Sequence, residues 1–160
     1  MSNISNGRIT FRALLNIQRI VLTLWIGGLW TVGYLVVPVL FHHLQNPLLA
    51  GRVAGELFTL MSWFGLASVL VLTTIYSFLD RAKWRFLVLF LVAVIIAINL
   101  FYLIPETTGL RDMAADVLEK GTRNHNRFAM LHGIASGLYL LVSLLGLLLV
   151  IRQPEKSLLP

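Results

Sequence analysis

Long apolar runs, separated by short clusters of charge, set the pattern of this chain. Four runs, 20–41, 57–79, 86–104 and 128–151, are long enough to cross a bilayer, which takes about 20 helical residues. Backbone groups in hydrocarbon must find their partners within their own segment or a closed barrel. The pattern therefore predicts an all-α, integral membrane, four-helix antiparallel bundle forming one domain over residues 1–160. The first run is too long for the apolar core of a cleaved signal and has no small-residue cleavage site after it, so it reads as a retained signal anchor.

Punctuation between the runs refines this picture. Asn46-Pro47 has the form of a helix N-cap followed by proline at the first helical position. The second helix is thus expected to begin near Pro47, with the small-residue stretch AGRVAGELF at the interface or against a neighbouring helix. Pro38, three residues before the end of the first run, should kink that helix and release a backbone carbonyl. Pro105-Glu106 should close the third helix. The following connection, 105–127, is too long for a structureless loop. Within it Leu110, Met113, Ala114, Val117 and Leu118 recur at helical spacing, which predicts a short amphipathic helix between spans three and four, lying on the bundle end or in the headgroup layer. Gly121 is the expected stop.

Composition agrees with the pattern. Charged residues make up 12% of the chain and apolar residues 58%, with a mean hydropathy of +0.82. A soluble domain is roughly a quarter charged, so a soluble enzyme, a disordered segment and a nucleic-acid-binding domain are excluded as readings. The absence of cysteine removes disulfides, thiolate metal sites, cysteine nucleophiles and iron–sulfur ligation. The net charge of +6 has a topological reading instead. Arg8, Arg12, Arg19, Arg81, Lys83, Arg85, Arg152 and Lys156 fall on one side of the predicted membrane, against Asp80 and Glu155. The other side balances five basic residues with five acidic ones. The positive-inside rule then predicts cytoplasmic N- and C-termini and an outward-facing connection between spans three and four. A multi-pass protein of a bacterial inner membrane is the expected setting. Trp63 and Tyr102 near the outer boundary, and Trp84 and Tyr76 near the inner one, have the placing of an aromatic belt.

Intramembrane polar residues are the place to look for chemistry, and they are few. His132 is the ionisable residue inside a span. His125 lies two turns before it and Ser136 one turn after, so the three share a face of the fourth helix. Asn99 is at similar depth in the third helix and would share a polar pocket with His132 if the two helices are neighbours. Glu106 and Arg111, with Arg123, His125 and Arg127, would roof that pocket. The candidate ligand-binding set is therefore Asn99, His132, Ser136, Glu106 and Arg111, with His132 and His125 as candidate metal ligands. Each residue also has a plainer reading: hydrogen bonding between helices for His132 and Asn99, a solvated loop face for the charges. His42 and His43 are expected at the interface. Gly27, Gly28, Gly33, Gly133 and Gly137 are expected at helix contacts, the last pair as a GxxxG. No span holds a carboxylate, which argues against an ordinary cation-coupled transporter. No catalytic residue set is apparent.

Four stretches carry a family resemblance: WIGGLWTVGYLVVPVLF (25–41), AGRVAGELF (50–58), NLFYLIPETTGLR (99–111) and FAMLHGIAS (128–136). In order and spacing they resemble the small four-helix membrane family known as domain of unknown function 4149, and they are similar to the transmembrane protein 205 group. The resemblance implies a fold and little mechanism. A more distant likeness is to copper-resistance D-like proteins and to the HemJ type of protoporphyrinogen oxidase. Trp30, Gly33, Pro38, Leu40 and Phe41 match the spacing of the HemJ first helix. That helix places a functional histidine about two turns before the tryptophan, where this chain has Thr23. Haem b or copper would then have to be held by His132, alone or with His42, His43 or His125. Three functional readings stay open, in this order. The first is a non-enzymatic accessory subunit, small-ligand binder or tolerance protein. The second is a haem- or copper-binding redox or metal-handling protein, and the third an oligomeric transporter or channel. The implied partners are the lipid bilayer and a membrane protein or second copy; nucleic acid is not among them.

Overall fold

In a computed structural model of the chain, the apolar runs fold as helices that extend past them. The structure describes residues 2–79, 82–113 and 119–152. The first rod is α1 (Ser2–Thr31), a π turn (Val32–Val36) and α2 (Val37–His43). The second is α3 (Pro47–Leu79). The third is α4 (Lys83–Ile98), a π turn (Asn99–Leu103) and α5 (Ile104–Met113), and the fourth is α6 (Arg123–Ile151). Each rod holds a stretch long and apolar enough to cross a membrane. No strand occurs among the described residues. The start of α3 is fixed by Asn46, whose side-chain oxygen accepts from the amides of Leu48 at 3.0 Å and Leu49 at 3.2 Å. Two orphan amides of the first turn are satisfied this way, as an Asn N-cap should do.

Both interrupted rods use the same device. The residue just before each proline, Val37 or Ile104, sends its amide to the carbonyl five residues back, Val32 or Asn99. Proline has no amide to donate, and its ring crowds the carbonyl four residues earlier. One wide turn directly below it relieves both problems, and the helix continues. Pro38 therefore produces a π turn where a simple kink was expected. Pro105 does not end the third helix, which runs on through α5 to Met113. The expected separate amphipathic helix is corrected to that extent: residues 110–113 belong to α5, and Ala114, Val117 and Leu118 lie outside the described residues. Gly121, with φ of +91°, makes the left-handed turn into α6. Thr122 caps that helix, its hydroxyl oxygen accepting from the His125 amide at 3.1 Å.

The four rods form a ring in sequence order. α1 packs on α3, α3 on α4, α4 on α6, and α6 returns to α1. Side chains tie the two ends. At one, Arg85 donates to the Arg152 carbonyl at 2.8 Å. At the other, Arg52 at the start of α3 pairs with Asp112 at the end of α5 at 3.1 Å. Successive rods are therefore antiparallel.

The two halves of the bundle pack differently. Towards the Arg85 end, Leu22, Trp25, Leu72, Tyr76, Leu89, Val92 and Leu149 are buried in one continuous core. Tyr76 is wholly enclosed, so it belongs to this core and not to an aromatic belt. Close approach here depends on Gly65, which lies under Trp25 and Ile96, and on Gly146, which lies under Ile26. Towards the Arg111 end the ring is incomplete. Above the Val32–Val36 turn the first rod stays with α3, and no Cα of that turn or of α2 comes within 8 Å of α6.

Candidate functional site

Where the first rod and α6 separate, the bundle encloses a cavity of about 540 Å³. Its floor is built by two tyrosines. Tyr139 of α6 donates its hydroxyl proton to the Leu29 carbonyl at 2.6 Å and is hydrogen-bonded by the Gly33 backbone. In an unbroken α-helix those two groups would bond each other, so the phenol engages both members of a helical pair at the start of the π turn. Gly33 is what admits the ring: a Cβ there would stand 2.6 Å from Tyr139 Cε1. Tyr34, inside the same turn, reaches Ser143 at 3.4 Å. Phe58 packs edge-on against the Tyr139 ring, 5.0 Å between centroids.

The roof is Arg111, whose side chain is 11% exposed. It lies along Gly51 and Gly55 of α3, with 3.4 Å and 3.5 Å between its nitrogens and the Cβ positions those glycines leave empty. Nη1 donates to the Gly51 carbonyl at 2.5 Å and Nη2 to the Thr108 hydroxyl at 3.2 Å, while Nε is buried without a hydrogen bond. The carboxylate of Asp112 is 3.8 Å from Nε, but Arg52 holds it more closely at 3.1 Å. No Asp or Glu lines the cavity among the described residues, so Arg111 is its one fixed charge.

Of the sequence-derived pocket residues, Asn99, Arg111, His132 and Ser136 all line this cavity. Glu106 does not. Its carboxylate turns to Arg127 at 2.8 Å on the surface. His132 stacks on Phe128, the rings 5.9 Å apart and nearly parallel, and its residue is exposed at the side where α2 is absent. Ser136 returns its hydroxyl to the His132 carbonyl. Asn99 opens the second π turn and reaches back to the Ile95 carbonyl at 3.5 Å. His125 sits in the first turn of α6 and is not part of the lining. The described residues contain no group of three His, Asp or Glu side chains placed to hold a metal. Among the glycines, Gly28 faces Met61 and Gly33 faces Tyr139, whereas Gly27, Gly133 and Gly137 have open space above them within this chain.

The residues that sequence reasoning missed are Tyr139, Tyr34, and the glycines under Arg111. Two of these carried a readable signal. Tyr139 lies seven residues after His132 and so continues the same helical face. Gly51 and Gly55 are spaced by four, the interval that lets another group approach a helix backbone.

Residues 20–116 match the family described as Domain of unknown function (DUF4149). His132, Ser136 and Tyr139, on the fourth rod, lie beyond the matched stretch. No curated protein and no solved structure matches the chain.

Proposed function

We propose that this chain, which belongs to the DUF4149 family, is a non-enzymatic membrane protein that binds a small, largely apolar ligand. One observation carries the reading. A cavity of about 540 Å³, within the roughly 300–1,000 Å³ usual for small-molecule sites, gathers four of the sequence-derived polar groups in a mostly apolar lining. Those groups, Asn99, Arg111, His132 and Ser136, come from two of the four rods, the third and the fourth. Neither an activated nucleophile nor an acid–base pair faces the space, which favours holding over turnover. The uneven distribution of Lys and Arg supports cytoplasmic termini in a bacterial inner membrane, with the cavity in the outer half.

The test is extraction and mass spectrometry of small molecules retained by the purified protein in nanodiscs. The wild type is expected to carry one compound near one per chain, and Ala135→Trp, which fills the cavity, to lose it. A wild type that retains nothing above a denatured control, and whose melting temperature no compound raises, would overturn the reading. The same preparation separates it from the haem or copper alternative. A Soret band or one copper per chain, lost in His132→Ala, would put that alternative in its place.

A further inference from the structure

We infer that the cavity is loaded sideways from the bilayer, through the gap between α2 and α6, and that its ligand is a single-chain amphiphile with an anionic head. This rests on the ligand-binding reading above and adds a route and a chemical class.

The route follows from where the ring is open. At the Arg85 end one face of α6, carrying Tyr139, Val142, Ser143 and Gly146, packs on α1. The same face continues upward through Ser136 and His132, and there it has lost its partner. No Cα of α2 lies within 8 Å of α6, and both residues are exposed. The gap sits beside apolar, span-length helices, so what lies outside it in a membrane is lipid. Below, Tyr139 on Leu29 and Tyr34 on Ser143 close the bundle. A compound reaching the cavity this way must first dissolve in the bilayer, which takes an apolar body.

The head group follows from charge. Arg111 roofs the cavity; its Nη1 and Nη2 each make one hydrogen bond, to the Gly51 carbonyl and the Thr108 hydroxyl, and each keeps a second N–H, while no carboxylate lines the space among the described residues. Its nearest acid, Asp112, stands 3.8 Å from Nε and is held more closely by Arg52, at 3.1 Å. A planar guanidinium in this state is suited to a carboxylate or phosphate. Arg111 stands at the end of the third rod, near the level of lipid head groups, so an amphiphile lying along the cavity would keep its natural orientation. The volume is that of one drug-sized molecule, which fits one chain and a small head.

The experiment uses the full chain in phosphatidylcholine vesicles and three diazirine-bearing C16 probes: a carboxylate, a neutral alcohol and an amine. Wild-type protein is expected to be labelled on cavity residues, with the carboxylate at least tenfold above the amine. Arg111→Gln should bring that ratio within twofold while alcohol labelling persists, which also shows that the variant is folded; Arg111→Lys should keep most of the preference. A preference that survives Arg111→Gln would overturn the anionic assignment. For the route, the chain's lack of cysteine allows a clean pair at one level of the gap, Phe41→Cys with Phe128→Cys, bridged by a reducible bis-thiosulfonate. Bridging before the probe is added should abolish labelling, and reduction should restore it. Undiminished labelling with the bridge intact would overturn lateral loading and leave the binding site standing. Absence of cavity labelling by every probe in the unbridged wild type would remove the binding reading itself.

Discussion

Tyr139 shows how one side chain joins two halves of the molecule. Its hydroxyl reaches the Leu29 carbonyl at the end of α1 and the Gly33 backbone in the π turn, and its ring needs the missing side chain of Gly33. Tyr139→Phe should lower stability by about 1 kcal/mol, the usual net worth of one such hydrogen bond. Gly33→Ala should cost more, roughly 1–3 kcal/mol, because the ring must be displaced. Gly133→Ala, with open space above it, should leave the monomer unchanged. Thermal unfolding in a single detergent checks all three, and equal losses would show that the Gly33 contact has no special role. The glycines also mark what spacing alone leaves undecided. Gly51 and Gly55 make a close approach to Arg111, yet Gly133 and Gly137, with the same spacing of four, have open space above them. Spacing reports that a helix has a bare face; it does not report whether another helix is opposite.

At the scale of elements, the helices were legible and their endings were not. Four apolar runs predict four rods because lipid permits little else. The Asn46-Pro47 pair places the start of α3 through a local hydrogen bond that involves only neighbours. Pro38 and Pro105 were harder to read. A proline states that one amide is missing, but whether the helix stops or continues depends on whether packing holds the next turn in place. Here α2 packs on α3, and α5 packs on both α3 and α6, so both rods continue. The polar face of α6 follows from seven-residue spacing, and the interval that links His125 to His132 extends unchanged to Tyr139. Glu106 misleads for the opposite reason. Its exposed pairing with Arg127 depends on how α5 is rotated, and the π turn sets that rotation. Such an exposed ion pair contributes about 0–1 kcal/mol, so it does not organise the roof.

The whole molecule is well packed at one end and open at the other. The buried core from Leu22 to Leu149 closes the ring near Arg85, while the region above the π turns surrounds a cavity. Local opening requires least where few buried contacts must be broken. Amide hydrogen exchange in nanodiscs should therefore be slowest in 85–96 and 142–149 and fastest, within the spans, in 33–43. A ligand that fills the cavity should slow the second region and leave the first unchanged. Uniform protection across each rod would contradict this division. The fold class was readable from hydropathy. The division was not, because hydropathy is similar along the full length of each run, and only the position of the prolines hinted at a change.

Each π turn also stores one spare residue of chain. An α-helix advances about 100° per residue, so losing a residue from an ordinary stretch turns every later side chain to a new direction. A five-residue turn holds one residue more than the regular repeat requires, so removing it keeps the chain beyond facing its old neighbours, and the proline above it is then borne by a bent α-helix in place of the wide turn. The two turns, Val32–Val36 and Asn99–Leu103, are thus the places where these rods should tolerate shortening by one. Deleting Leu35 or Tyr102, both exposed, should leave a folded, membrane-inserted protein, whereas deleting Val92 from the core should not. Expression and monodispersity of the three deletions would decide it, with equal damage from all counting against the idea. Length differences between related chains would then be expected to fall at these turns, each one enlarging or erasing the local widening beside the cavity.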